Sequence, residues 1–130
     1  MVGLQIKTLC IQHGGTGGDL SFTFCNSDQC CSTGGIQPTN GNGNCNMPDI
    51  FGSSQIGDCK DFEFGSESII TGNVTLSNND GFRGEWVKVR SSDGSFLQCT
   101  IDGWIDGDNN VPNESNVPKF RDFSCSSLSK

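Results

Sequence analysis

The sequence predicts an all-β domain of the antiparallel β-sandwich type, stapled by disulfides. Three observations carry this. Short runs alternate apolar and polar residues with period two. Turn residues separate those runs. Eight cysteines are spread along 130 residues. Period-two alternation places every second side chain on one sheet face, which is how a half-buried strand reads. Short strands divided by Gly, Asn and Asp turns are the pattern of a sandwich or barrel.

The strand signals run in order. Leu4, Ile6 and Thr8 alternate with Gln5 and Lys7 ahead of Cys10. Leu20, Phe22 and Phe24 alternate with Ser21, Thr23 and Cys25, the clearest pattern in the chain. Phe62 and Phe64 alternate next. Ile70, Val74 and Leu76 share one parity, interrupted by Gly72. Val87 and Val89 flank Lys88, and Leu97, Cys99 and Ile101 share a parity. Phe120 and Phe123 close the chain near Cys125. Turn clusters lie at 14–19, 78–81 and 91–94. Residues 33–48, rich in Gly, Asn and Thr, read as a loop tied down by Cys45. No helical apolar period of useful length is present. Val-Pro occurs at 111–112 and 117–118, so the tail from about 111 is expected to be extended. The whole chain, 1–130, reads as one domain.

Apolar residues make up 32%, so the core is thin, and cross-links compensate. Cys10, Cys25, Cys30, Cys31, Cys45, Cys59, Cys99 and Cys125 read as a disulfide framework formed in an oxidising compartment. Spacing alone leaves their pairing open. Zinc is the competing reading. It calls for repeated close pairs such as C-x2-C, whereas only Cys30 and Cys31 are close and the single histidine is His13. Two sequons, at Asn73 and Asn113, fit a secreted glycoprotein. The start, Met1-Val-Gly-Leu-Gln, has no apolar core, so the mature chain behind a start methionine is expected. No stretch approaches the length of a membrane-spanning helix. A net charge of −7 argues against nucleic acid, which calls for a basic footprint.

Residues 73–108 form a unit. Asn73-Val-Thr-Leu leads to Asn79-Asp80-Gly-Phe82-Arg83-Gly-Glu-Trp86, then Val87-Lys-Val89, a further apolar strand, and Trp104-Ile with acidic residues. This resembles the second half of a PLAT (lipoxygenase homology) domain. The first half is similar too: an Ile-Lys-Thr strand, a Gly-rich turn ending at Asp19, an apolar alternation, and Gly57-Asp-Cys-Lys-Asp-Phe-Glu-Phe. The likeness spans about residues 3–110. It departs from the family after Trp86, where Val87 follows without a spacer, and in its richness in cysteine.

The resemblance implies an eight-stranded sandwich of two four-stranded sheets. It implies a non-catalytic module that docks on a lipid or membrane surface, or on another extracellular protein. It also implies calcium at one end, with Asp19 on one loop and Asn79 and Asp80 on the next. Gly17 and Gly18 can add carbonyls, since calcium takes several oxygen ligands. The competing reading is that these are ordinary turn residues. Phe82, with Arg83 beside it, is a candidate membrane or partner contact; the alternative is that Phe82 caps the sandwich. Trp86 and Trp104 are expected in the core, as in the family. Asp106 to Asn110 looks like the start of an EF-hand loop but has Val111 and Val117 where Gly and Glu are required.

No G-x-S-x-G or H-E-x-x-H is present, and no carboxylate pair stands out, so no enzyme is expected. The second functional class is structural: an extracellular glycoprotein subunit of a matrix, coat or filament, oligomeric or polymeric, with the sandwich as scaffold.

Overall fold

The computed structural model describes residues 1–11, 15–40, 43–64, 69–77, 81–101, 103–105 and 120–127. Among the described residues there are nine strands: β1 (Gly3–Thr8), β2 (Leu20–Cys25), β3 (Cys30–Ile36), β4 (Asp49–Gly52), β5 (Ile69–Leu76), β6 (Phe82–Arg90), β7 (Phe96–Thr100), β8 (Trp104–Ile105) and β9 (Phe120–Ser126). All pairings are antiparallel. The hydrogen-bonded order is β3-β2-β5-β9-β7-β6-β1-β4, with β8 paired to β6 off that path. Two separate sheets were expected. The hydrogen bonds instead trace one continuous, curled sheet whose halves share a single core.

The halves are β3-β2-β5-β9 and β7-β6-β1-β4, and they meet at β7–β9. That seam holds two register pairs, Gln98 with Ser126 and Cys99 with Cys125. By comparison, β5 and β9 share seven. The second seam pair is also a disulfide, with Cα atoms 4.0 Å apart.

The alternations read from the sequence fill the core. Leu4, Ile6, Leu20, Phe22, Phe24, Ile70, Val74, Val87, Val89, Leu97 and Phe123 all point inward. Phe22, Phe24 and Phe123 form an aromatic cluster with centroids 5.8–6.3 Å apart. Gly72 lies between Phe24 on β2 and Phe123 on β9, and a Cβ there would sit 2.2 Å from the Thr23 carbonyl oxygen and 2.8 Å from the Phe123 ring. The interruption of the β5 pattern is therefore the space into which the Phe123 ring folds.

Three segments differ from expectation. Residues 33–36 belong to β3, and 49–52 form edge strand β4; the 33–48 loop is shorter than its composition suggests. Glycine at 34 and 35 masked the strand, because glycine is depleted in strand interiors. Phe62 and Phe64 are both buried but lie outside any strand, following a 3-10 turn at Gly57–Asp61. That turn packs against β3, held by Cys31–Cys59.

The eight cysteines form Cys10–Cys45, Cys25–Cys30, Cys31–Cys59 and Cys99–Cys125, with none free. Adjacent Cys30 and Cys31 take opposite faces of β3, as period two requires. Cys30 is exposed and bonds across the hairpin to Cys25; Cys31 is buried and bonds to the 3-10 turn. Cys10–Cys45 does tie down the loop before β4. Among the described residues, no helix is long and apolar enough to cross a membrane.

Gly72→Ala should lower stability by about 1–3 kcal/mol or more, because the added methyl meets backbone and ring together. Gly43→Ala, with nothing within 4 Å of the added atom, should stay within about 0.5 kcal/mol of wild type. Denaturant unfolding of the pair checks this; equal midpoints would contradict the packing described.

Candidate functional site: the outer face of β4-β1-β6-β7

The sequence placed the site at the 14–19 and 78–84 loops. Asp19 and Ser77 exchange hydrogen bonds there: the Asp19 amide donates to Ser77 Oγ at 3.1 Å, and the Ser77 amide donates to the Asp19 carbonyl at 3.0 Å. The first loop is thereby fixed beside the start of the second. The Asp19 side chain is exposed and lies over Gly35 of β3, where an added Cβ would stand 3.2 Å from Asp19 Oδ2. The Gly17 carbonyl accepts from Gln37 Nε2 at 2.8 Å. Asn79, Asp80 and Asn113 lie outside the described residues, as do His13, 106–110 and the side chain of Trp104. Asn73 is half-buried on β5, in register with Thr23 and Asp122.

The two contact residues do not form an exposed tip. Phe82 is 0% exposed, and its ring caps the core beside Gly84. Arg83 is half-buried, and its Nη1 donates to the carbonyls of Gly84 at 3.1 Å and Ile101 at 3.0 Å. An apolar residue inside a strand that pairs with β8 is drawn to the core, and the arginine is held by carbonyls at the strand end.

Trp86 also differs from expectation. Phe82 and Gly84 face inward, and so do Val87 and Val89. The parity changes because the β1 register jumps from Lys7–Trp86 to Thr8–Gly84, leaving Glu85 as the extra residue of a β-bulge. The bulge turns Trp86 outward, where it is half-buried.

The result is a sheet face of distinct chemistry. In one row, Ile50 of β4, Gln5 of β1, Lys88 of β6 and Gln98 of β7 stand in register. In the next, Gly52, Gly3, Arg90 and Phe96 do the same. Lys88 Nζ sits 4.8 Å from the Trp86 ring centroid and 5.5 Å from that of Phe96. Ring quadrupoles attract the ammonium from both sides and fix its position. Lys7 Nζ pairs with Glu85 at 3.2 Å, whereas Lys88 and Arg90 make no ion pair among the described residues. The two glycines leave a depression of 380 Å³ in this face. Ile50, at its rim, is 70% exposed.

The β6–β7 turn that aligns Lys88 and Arg90 with Phe96 and Gln98 is tied by one carboxylate. Asp93 accepts from the Ser91 hydroxyl, the Ser95 hydroxyl and, at 2.9 Å, the Ser95 amide. The Ser91 hydroxyl first, then the two Ser95 donors, pull its pKa from the ordinary 3.8 to about 2.

Compared with known proteins, the chain matches no protein-family model and no curated protein sequence. The geometry therefore carries the functional argument. The outer face went unseen in the sequence because its members come from four strands. The bulge that exposes Trp86 has one sequence trace, the change of apolar parity from Phe82 to Val87 and Val89.

The ionised Asp93 stabilises the folded turn, since its folded pKa lies below the unfolded value. That contribution is complete above about pH 4 and fades as pH falls toward 2. Asp93→Ala should therefore melt below wild type at neutral pH, with the gap closing between pH 4 and pH 2. Thermal melts across that range check it; a constant gap would show that the carboxylate's charge plays no part.

Proposed function

We propose that the chain is an extracellular, non-catalytic binding module of PLAT type, docking through the outer face of β4-β1-β6-β7. The observation that carries this is Lys88 held between the Trp86 and Phe96 rings, next to the exposed Arg90. A chain of net charge −7 here concentrates positive charge and aromatic surface on one face. Charged residues and aromatic rings gathered on one exposed face are the features of a recognition surface. The antiparallel all-β architecture agrees with the PLAT resemblance at the level of fold class. Four disulfides and no free thiol support the extracellular setting. A lipid surface and another extracellular protein are the two partners the resemblance offers, and the cationic face favours an anionic surface on either.

The test is retention on intact cell-surface and matrix preparations. Lys88→Glu with Arg90→Glu should weaken retention by at least about tenfold, the effect of losing roughly 1.4 kcal/mol. Both side chains point outward, so the melting temperature should change little. Undiminished retention would overturn the assignment of the face. Concentration-dependent polymers with no retention would favour the structural-subunit role.

Calcium is a second reading, favoured by the reciprocal bonds that set Asp19 beside Ser77 at the end of β5. In this reading Asp19, Asn79 and Asp80 supply oxygens to a hard cation. Calcium should raise the melting temperature of wild type and leave Asp19→Ala with Asp80→Ala unmoved. A shift that persists in the double variant would place any calcium elsewhere.

A further inference from the structure

Gly3 and Gly52 stand opposite each other on β1 and β4, where the neighbouring row carries Gln5 and Ile50. The missing side chains open the 380 Å³ depression, and its rim is chemically divided. Ile50 supplies apolar surface on one side. Phe96 supplies a half-exposed ring on the other. Lys88 and Arg90 supply charge, and Gln5 supplies an amide that both donates and accepts.

These groups select together what none selects alone. A ring without charge would take any apolar ligand. Two cations without a ring would take any polyanion. The combination suits a ligand with a flat, weakly apolar face, hydrogen-bonding groups along its edge and a fixed anion. We infer that this depression binds an acidic polysaccharide whose sugar units carry carboxylates. This rests on the reading of the outer face as the docking surface.

The fit is specific. The C–H face of a pyranose ring sits at the rim beside Ile50 and the part of Phe96 that Lys88 leaves uncovered. Its hydroxyls exchange hydrogen bonds with Gln5. Its carboxylate meets Arg90, whose planar guanidinium binds carboxylate through two parallel hydrogen bonds. Lys88 and Arg90 are alternate residues on one strand, about 6.8 Å apart along it, so they can serve acidic groups on a linear polymer. The net charge of −7 opposes a polyanion at long range, so binding depends on the local contacts to Lys88 and Arg90. An acidic peptide offers the charge without the flat face. A phosphatidylserine headgroup offers the charge without a ring to set beside Phe96.

The experiment is titration calorimetry with an α-galacturonate oligomer. Neutral dextran, polyglutamate and phosphatidylserine vesicles serve as comparisons at matched concentration of sugar or charge. The galacturonate oligomer should bind, and bind more tightly than each comparison. Arg90→Gln and Phe96→Ala should each weaken it by at least about tenfold, as expected for a charge-assisted bidentate contact or a stacked ring. Melting curves identify any variant that fails to fold, and Gln5→Ala, on the same rim, gives an independent loss. No binding of the oligomer, or binding that survives these substitutions, overturns the inference. Equal or tighter binding of polyglutamate or of vesicles overturns it in favour of a peptide or a lipid. If galacturonate fails while Lys88→Glu with Arg90→Glu still abolishes surface retention, the docking face stands and only the ligand class falls. If both fail, the face is not a docking surface.

Discussion

The halves of the sheet meet at two register pairs on β7 and β9, and one of those pairs is covalent. Every other pairing on the path from β2 to β1 is longer. Two antiparallel pairs supply few hydrogen bonds, and such a seam would be the first part of the sheet to open. The Cys99–Cys125 bond joins fully buried residues there, on the inner face. It holds β9, which arrives late in the chain, against β7, whose hairpin partner β6 carries Trp86, Lys88 and Arg90. The cross-link thus ties the half of the sheet that carries the outer face to the other half, from the opposite side.

The remaining disulfides serve the edges. Cys25–Cys30 closes the β2–β3 hairpin, and Cys31–Cys59 lays a 3-10 turn along β3, the edge strand of its half. An uncovered edge strand presents unpaired backbone groups. Cys10–Cys45 tethers the loop before β4, the other edge. A thin core is thereby supplemented where a β-sheet is weakest.

The face itself is a by-product of one irregularity. Without the bulge at Glu85, Trp86 would follow Phe82 and Gly84 into the core, and Lys88 and Arg90 would follow it. A one-residue change of register exchanges the two faces of a strand. The bulge lets Phe82 fill the core at one end of β6 while the same strand displays Trp86, Lys88 and Arg90 at the other. The docking residues suggested by family likeness, Phe82 and Arg83, lie on the wrong side of that irregularity to serve as a tip.

The sequence by itself determined the all-β class, the inward parity of β1, β2, β5, β6 beyond Trp86, and β7, and the presence of a disulfide framework. Alternation and cysteine count are local signals, and burial follows them directly. It left the pairing of cysteines, the strands hidden under glycine at 33–36 and the short β4 undetermined. Only the tertiary structure decided these, because partners far apart in the chain fix them. The same holds for the outer face: Ile50, Gln5, Lys88 and Phe96 become neighbours only through register. Phe62 and Phe64 show the limit from the other side, since their alternation read burial correctly and strand wrongly. Hydrophobic spacing reports which side chains leave water, and the backbone partner decides what shape they leave it in.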